Sequence, residues 1–385
     1  MIPYGKQDIN QCDIDSVVNV LQSDFLTQGP QVPLFEKKVS DYCGSEFAVA
    51  SNSATSALHI ACLALGLEKG DYLWTSPNTF VASANCGLYC GAKVDFVDID
   101  PLTYNLSVEE LKNKLFHAKQ ENKLPKIVIP VHFAGQSCDM AKIHLLSKEY
   151  GFKIVEDASH AIGGKYLDRP IGGCHYSDIT IFSFHPVKII TTAEGGLATT
   201  NDKDLMERMQ LFRNHGVTRN SKLMKKKSEG QWYYQQIALG FNYRMTELQA
   251  ALGRTQIKRL DEFVALRHKH KIRYDKLIKN LPIILPYQDL NSFSALHLYP
   301  IQIKVDKLRR TRKEIFDLLL KNNIGVNVHY IPVYSQPYYE NMGFNKANFP
   351  NTERYYKNGL SIPLFHAMTI EQQDQVISVL EKILK

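Results

Sequence analysis

Residues 153–160 read Lys-Ile-Val-Glu-Asp-Ala-Ser-His. A short apolar run, 153–155, passes straight into two acids and a histidine, so the chain leaves a buried strand where charge must be paired or used. The same grammar recurs on either side. Short β-rich runs bounded by turn residues stand at 72–75, 94–97, 126–131, 179–182 and 196–199, and helical patterns such as 56–65 separate them. Strands alternating with helices in this way predict a largely parallel sheet covered on both faces.

Working outward from that sheet, residues 1–250 read as one large α/β domain. From Glu247 to about Asn280 a long helical pattern carries charge on one side, with Lys258, Arg259, Arg267, His268 and Lys269, and predicts an exposed connector helix. After Pro282 and Pro286 the pattern changes to a smaller α+β unit. It holds a strand at 298–303, a helix at 311–321, a strand at 325–328, and a final helix opened by Thr369 and Gln372 at capping-box spacing. The second domain is thus 251–385, connector helix included.

Composition removes several classes of function. The chain has 385 residues, 44% hydrophobic and 22% charged, enough apolar material to offset chain entropy, so disorder is excluded as its dominant state. Its apolar runs are far shorter than the ~20 residues that cross a bilayer, so no membrane is expected. The opening Met1-Ile2-Pro3-Tyr4 has neither basic n-region nor long apolar stretch, and a cytoplasmic location is the expectation. The seven cysteines are scattered in a pattern that suggests neither a disulfide framework nor a metal site. A net charge of +7 is modest for this length and gives no nucleic-acid footprint.

Three segments carry the chemistry. In 183–188, Ser-Phe-His-Pro-Val-Lys, Lys188 follows a strand and a proline and precedes the turn-rich 191–196, Thr-Thr-Ala-Glu-Gly-Gly, which sets it at a strand end facing a cleft. Asp157, at the end of its own buried strand, suits a cofactor with a pyridine nitrogen, where a carboxylate would hold the ring proton and make the ring an electron sink. The small polar run 51–56, Ser-Asn-Ser-Ala-Thr-Ser, opens an amphipathic helix whose unpaired N–H groups are ready for an anion. A lysine, a strand-end aspartate and a phosphate-ready helix start are together what pyridoxal phosphate requires.

At this point the sequence resembles the sugar aminotransferases of the DegT/DnrJ/EryC1/StrS family. The resemblance rests on a dozen ordered motifs along almost the full length, among them IPYGKQDI, LTQGP, SNSATSAL, SPNTFVASAN, VHFAGQ, VEDASHAIGG, SFHPVKIITTAEGG, LGFNYRMTELQAALG and VHYIPVYSQPYY. It implies the type I pyridoxal-phosphate-dependent aminotransferase fold, a large domain with a mostly parallel seven-stranded sheet plus a smaller C-terminal α+β domain. Residue by residue, it implies that Lys188 is the Schiff-base lysine, that Asp157 partners the pyridine nitrogen, and that His160 lies near the ring oxygen. Ala54, Thr55 and Ser183 match the phosphate site, Phe80 the aromatic ring stacked on the pyridine face, and Asn242 an asparagine that reaches the phosphate from the neighbouring subunit of a homodimer. Tyr4, in an N-terminal segment that touches substrate, with Thr27, His329 and Tyr330, corresponds to sugar contacts.

The motifs SNSATSAL, EDASHAIG and TTAEGG are most similar to members that serve pseudaminic acid biosynthesis. They imply ping-pong transfer of an amino group from L-glutamate to C4 of a UDP-linked 4-keto-6-deoxy-N-acetylhexosamine. Isoleucine at 189, where several relatives carry a polar residue, leaves the acceptor's stereochemistry open, and a C3 keto sugar or a dTDP or GDP carrier stays as an alternative. A dehydratase of the family would lack Lys188, and a non-catalytic scaffold would have no reason to keep lysine, aspartate and phosphate cup together.

Overall fold

The computed structural model describes residues 1–384. Seven strands form the large sheet: β1 (Phe47–Ser51), β2 (Tyr72–Thr75), β3 (Lys93–Phe96), β4 (Ile127–Ile129), β5 (Lys153–Asp157), β6 (Ile179–Ser183) and β7 (Gly196–Thr200). Their spatial order is β1-β7-β6-β5-β4-β2-β3, and only β7 runs against the rest. The sheet is therefore mostly parallel, as the alternation of strands and helices predicts. β1 escapes sequence reading because Phe-Ala-Val-Ala-Ser is short and rich in alanine, a residue depleted in strands.

Because both faces are buried, the pleat sorts side chains between two cores. On β5, Ile154 joins Val128 and Phe152 in one apolar cluster, while Val155 joins Ile129, Ala82 and Cys86 in another. The same alternation separates the two acids at its end. Glu156 follows Ile154 and Asp157 follows Val155.

Glu156 is fully engaged. His132 Nδ1 accepts the N–H of Cys138 at 3.1 Å, so its proton sits on Nε2, 2.7 Å from Glu156 Oε2. Ser177 and Thr180 hydroxyls donate to Oε1. Burial pushes the Glu156 carboxyl up, but His132, Ser177 and Thr180 outweigh it and hold it below the usual range.

Two readings of the C-terminal part are corrected. The helical pattern from Glu247 is two helices, Glu247–Gln256 and Leu260–Ile278, joined by a 3-10 turn at Ile257–Arg259. The second is not simply an exposed connector: Arg267 is fully buried, and its Nη1 lies 2.9 to 3.2 Å from the carbonyls of Leu296, His297 and Leu364. Periodicity marks a polar face but cannot say that other segments will cover it. Residues 325–328 form no strand. Ile324 and Asn327 make isolated bridges, to Ile2 and Ser361.

The small sheet instead pairs Ile283–Ile284, Tyr299–Ile303 and Gly359–Ile362. Its core runs from Tyr274 to Leu384 and includes Ile2 from the far end of the chain. Gly325 permits this, since a Cβ there would come within 2.9 Å of the Ile2 carbonyl. The final helix, Ile370–Leu384, has the capping box, with Thr369 N–H donating to Gln372 and Gln372 N–H to Thr369 Oγ1.

Glu156→Gln is expected to cost about 2–3 kcal/mol at neutral pH, because it removes the charge from a buried, hydrogen-bonded acceptor. Since the native carboxyl titrates below its unfolded value of about 4.3, that stabilisation is complete above the unfolded value and is lost as pH falls through the folded one. Urea denaturation should therefore show native and variant stabilities converging in acid, and a gap that persists unchanged there would refute the assignment.

Candidate active site

Asp157 ends β5 and Ser183 ends β6, its parallel neighbour, so both sit at the carboxyl edge of the sheet, where open α/β folds bind ligands. After Ser183 the chain turns through His185 and Pro186, and the N–H of Lys188 returns to the His185 carbonyl at 2.9 Å. Lys188 thus projects from a tight turn beside the strand ends. The space it enters is a cavity of about 830 Å³, walled by 52–56 and Leu58, by Thr79, Phe80 and Ala82, by Asp157, Ser159, His160, Ser183 and Lys188, and by 327–330.

Helix Ala54–Ala64 starts in that wall. Ser53 caps it, its hydroxyl accepting the Ser56 N–H at 3.1 Å, while the N–H groups of Ala54 and Thr55 have no partner among the described residues. Two unpaired donors at a helix start facing a cavity are suited to an anion. The strand beside them is built for this approach: a Cβ on Gly196 would lie 2.3 Å from the Ser53 carbonyl carbon and 2.4 Å from the Ala54 nitrogen. Only glycine lets β7 pass so close, which explains Gly196 in the TTAEGG motif.

Lys188 is the one lysine or arginine in the cavity wall, and its amine makes no hydrogen bond or ion pair among the described residues. Burial lowers its pKa to about 8, with the charge of Asp157 acting in the opposite sense. Asp157 is held from both sides. Ser83 Oγ donates to Oδ2 at 2.6 Å and the Ser159 N–H to Oδ1 at 3.1 Å.

Three buried imidazoles complete the wall, beside the exposed His185. His160 accepts the Ala134 N–H on Nδ1 at 3.2 Å, which leaves its proton on Nε2, 3.0 Å from the Tyr330 hydroxyl. Burial, then the charge of Lys188, holds its pKa well below the usual value, so it is a neutral donor. His329, hydrogen-bonded through Nδ1 to Ser361 Oγ at 2.8 Å, is depressed to about 3 by burial and by Lys188. His297, its ring centroid 4.4 Å from that of His160, is likewise lowered by burial.

Of the residues singled out in the sequence, Lys188, Asp157, His160, Ala54, Thr55, Ser183, Phe80, Tyr4, His329 and Tyr330 all line this one cavity. Phe80 is 60% exposed, an open ring on the wall. Tyr4 arrives because Ile2 bonds to Asn323 and Gly325, which lays its ring 5.3 Å from that of His329. Thr27 and Asn242 do not reach the cavity and are both exposed. Sequence reading missed His297, Asn327 and Ser83. His297 lies in an unremarkable apolar run, and Ser83 signals only as one more small helical residue.

The chain matches the model of the DegT/DnrJ/EryC1/StrS aminotransferase family over residues 7–381. It belongs to that family. It is 38% identical over 387 residues to the spore coat polysaccharide biosynthesis protein SpsC of Bacillus subtilis, covering all of this chain and 97% of that one. It is 37% identical over 391 residues to a UDP-4-amino-4,6-dideoxy-N-acetyl-β-L-altrosamine transaminase of Campylobacter jejuni, covering 100% and 99%. In structure it is similar to Helicobacter pylori PseC, an aminotransferase involved in the biosynthesis of pseudaminic acid, with a TM-score of 0.90 and 31% identity over 100% and 99% of the two chains.

The protein is a pyridoxal-phosphate-dependent sugar aminotransferase. The cavity fits that cofactor: it offers an unpaired amine, a carboxylate fixed by two donors, an open aromatic face and a helix start with two free N–H groups.

In the aminotransferase freed of cofactor, Lys188 is neutral above about pH 8, whereas a solvated lysine needs about 10.4. Acylation by an amine-specific reagent across pH, read by peptide mass spectrometry, should show Lys188 reacting with the lower midpoint. Titration of Lys188 together with the surface lysines would overturn that reading.

Proposed function

We propose that this aminotransferase moves the amino group of L-glutamate to C4 of a UDP-linked 4-keto-6-deoxy-N-acetylhexosamine, with Lys188 as its catalytic residue. The observation that carries the residue assignment is the unpaired Lys188 amine in one cavity with Asp157 and the open helix start at Ala54. The acceptor is supported by the names of similar proteins from Campylobacter jejuni and Helicobacter pylori, 37% and 33% identical and both called UDP-4-amino-4,6-dideoxy-N-acetyl-β-L-altrosamine transaminases.

Pyridoxal phosphate, when bound, supplies an aldehyde that takes up the amino group and a ring that withdraws electrons from the reacting carbon. The chain's part is to hold, orient and move protons. In this reading Ala54 and Thr55 N–H groups and the Ser183 hydroxyl hold the phosphate, Phe80 covers one ring face, and Asp157 keeps the proton at the ring nitrogen. His160, neutral with its Nε2 proton toward the Tyr330 hydroxyl, lies near the ring oxygen. Lys188 Nζ, depressed to about 8, is a neutral base in a useful fraction of molecules at physiological pH and passes the proton between carbons. Tyr4, His329 and Tyr330 face the sugar.

Thr27 and Asn242 enter through a homodimer. Asn242 bridges Asn214, and Gln28, Gly29, Asn214 and Arg244 line one cleft of about 510 Å³ outside the cavity, so both residues belong to one face of the chain. That face also exposes Phe25, Leu26 and Leu239, and apolar surface of this kind is what a partner covers. The reading is that each chain's Asn242 completes the phosphate site of the other, and that Thr27 reaches the other chain's sugar.

The acceptor is tested by incubating the holoenzyme and glutamate with a panel of UDP-, dTDP- and GDP-linked keto sugars and resolving products by mass and NMR. Amination at C4 of the UDP sugar is expected. A strong preference for another carrier or for C3 would replace this acceptor and leave the residue roles standing. Shared sites predict that Lys188→Ala and Asn242→Ala, each severely impaired alone, recover activity when their subunits are exchanged, because one hybrid site then has both residues. No recovery despite demonstrated exchange would rule shared sites out.

A further inference from the structure

Asp157 is not held by the sheet alone. Its Oδ2 accepts the hydroxyl of Ser83, 74 residues earlier in the chain, at 2.6 Å, and Ser83 Oγ lies 2.8 Å from Thr79 Oγ1. An ionised carboxylate can only accept, so the single proton of Ser83 goes to Asp157, and Thr79 must then donate to Ser83. The direction of the chain is thereby fixed: Thr79 to Ser83 to Asp157. Ser83 is 0% and Thr79 2% exposed, so water does not compete for either hydroxyl.

A serine early in a helix ordinarily turns its hydroxyl to a carbonyl of the preceding turn. Here that local partner, the Phe80 carbonyl, is 3.4 Å away, and the carboxylate takes the short bond instead. On the other oxygen the Ser159 N–H donates at 3.1 Å. Two donors on opposite oxygens fix the rotation of the carboxyl plane, and the lone pairs left over are those available to the cavity that Asp157 lines.

We propose that Ser83, backed by Thr79, is a positioning residue that sets the orientation of the Asp157 carboxylate toward the cofactor's ring nitrogen. The inference rests on the reading of Asp157 as the partner of that nitrogen. Ser83 itself does not line the cavity and acts only through the aspartate, whereas Thr79 stands in the wall next to Phe80. The arrangement ties the hold on the ring nitrogen to the segment that carries the open aromatic ring.

The test compares holoenzyme carrying Ser83→Ala, Ser83→Thr, Thr79→Val or Asp157→Asn by three measurements: the cofactor's dissociation constant, the visible absorbance of bound cofactor across neutral pH, and kcat against KM for the sugar. Ser83→Ala should weaken cofactor binding on the order of tenfold, as expected for loss of a hydrogen bond to a charged group. It should also displace the absorbance titration and lower kcat with KM nearly unchanged. Thr79→Val should move the same readings in the same direction by less, and this variant keeps the test open if Ser83→Ala fails to fold. Ser83→Thr should restore them. Native binding and absorbance in Ser83→Ala and Thr79→Val, alongside a clear defect in Asp157→Asn, would overturn the proposal. A native titration in Asp157→Asn itself would instead sink the reading of Asp157.

Discussion

Two carboxylates at the end of one buried strand cannot share an environment, and the site is built around that constraint. The pleat sends Glu156 and Asp157 to opposite faces of the sheet. On one face Glu156 meets His132, Ser177 and Thr180, which together hold it in place. On the other, Asp157 meets two donors and then open cavity, so its charge is fixed in position and left available. A shift of register by one residue would exchange the two acids, turning Glu156 to the cavity and Asp157 to His132.

Around this edge the site is completed by close backbone contacts that only glycine permits. Gly196 allows the antiparallel strand to run against the start of helix Ala54–Ala64, which brings the anion-ready N–H groups to the same wall as Lys188. Gly325 allows the chain's first residues to lie against 324–328, and so delivers Tyr4 to His329. Segments more than a hundred residues apart thus meet through backbone, and the side chains that follow are carried into place.

The electrostatic character of the cavity follows from the same burial. Lys188, His160, His329 and His297 are all pushed toward their neutral forms because burial disfavours their charged forms. A neutral imidazole has a definite donor and a definite acceptor, and His160 has its tautomer assigned by the Ala134 N–H. Polar groups of known direction in a low-dielectric wall orient a ligand more strongly than the same groups in water.

Much of this was legible in the sequence. Strands at 72–75, 153–155 and 179–182 announce themselves as apolar runs ending at turn residues or charge, and Lys188, Asp157 and the polar helix start at Ser53 stand out because each is costly or idle unless it is used. Local pattern determines such features, since alternation, capping and strand breaking act over a few residues. What only the tertiary structure decided is of another kind: the burial of Arg267 under carbonyls from 296, 297 and 364, the reach of Ser83 to Asp157, and the placing of Thr27 and Asn242 on an outer face. Each depends on contacts between residues far apart in the chain. A hydroxyl or a guanidinium looks the same in sequence whether it meets water or a buried acceptor, and only the folded chain says which.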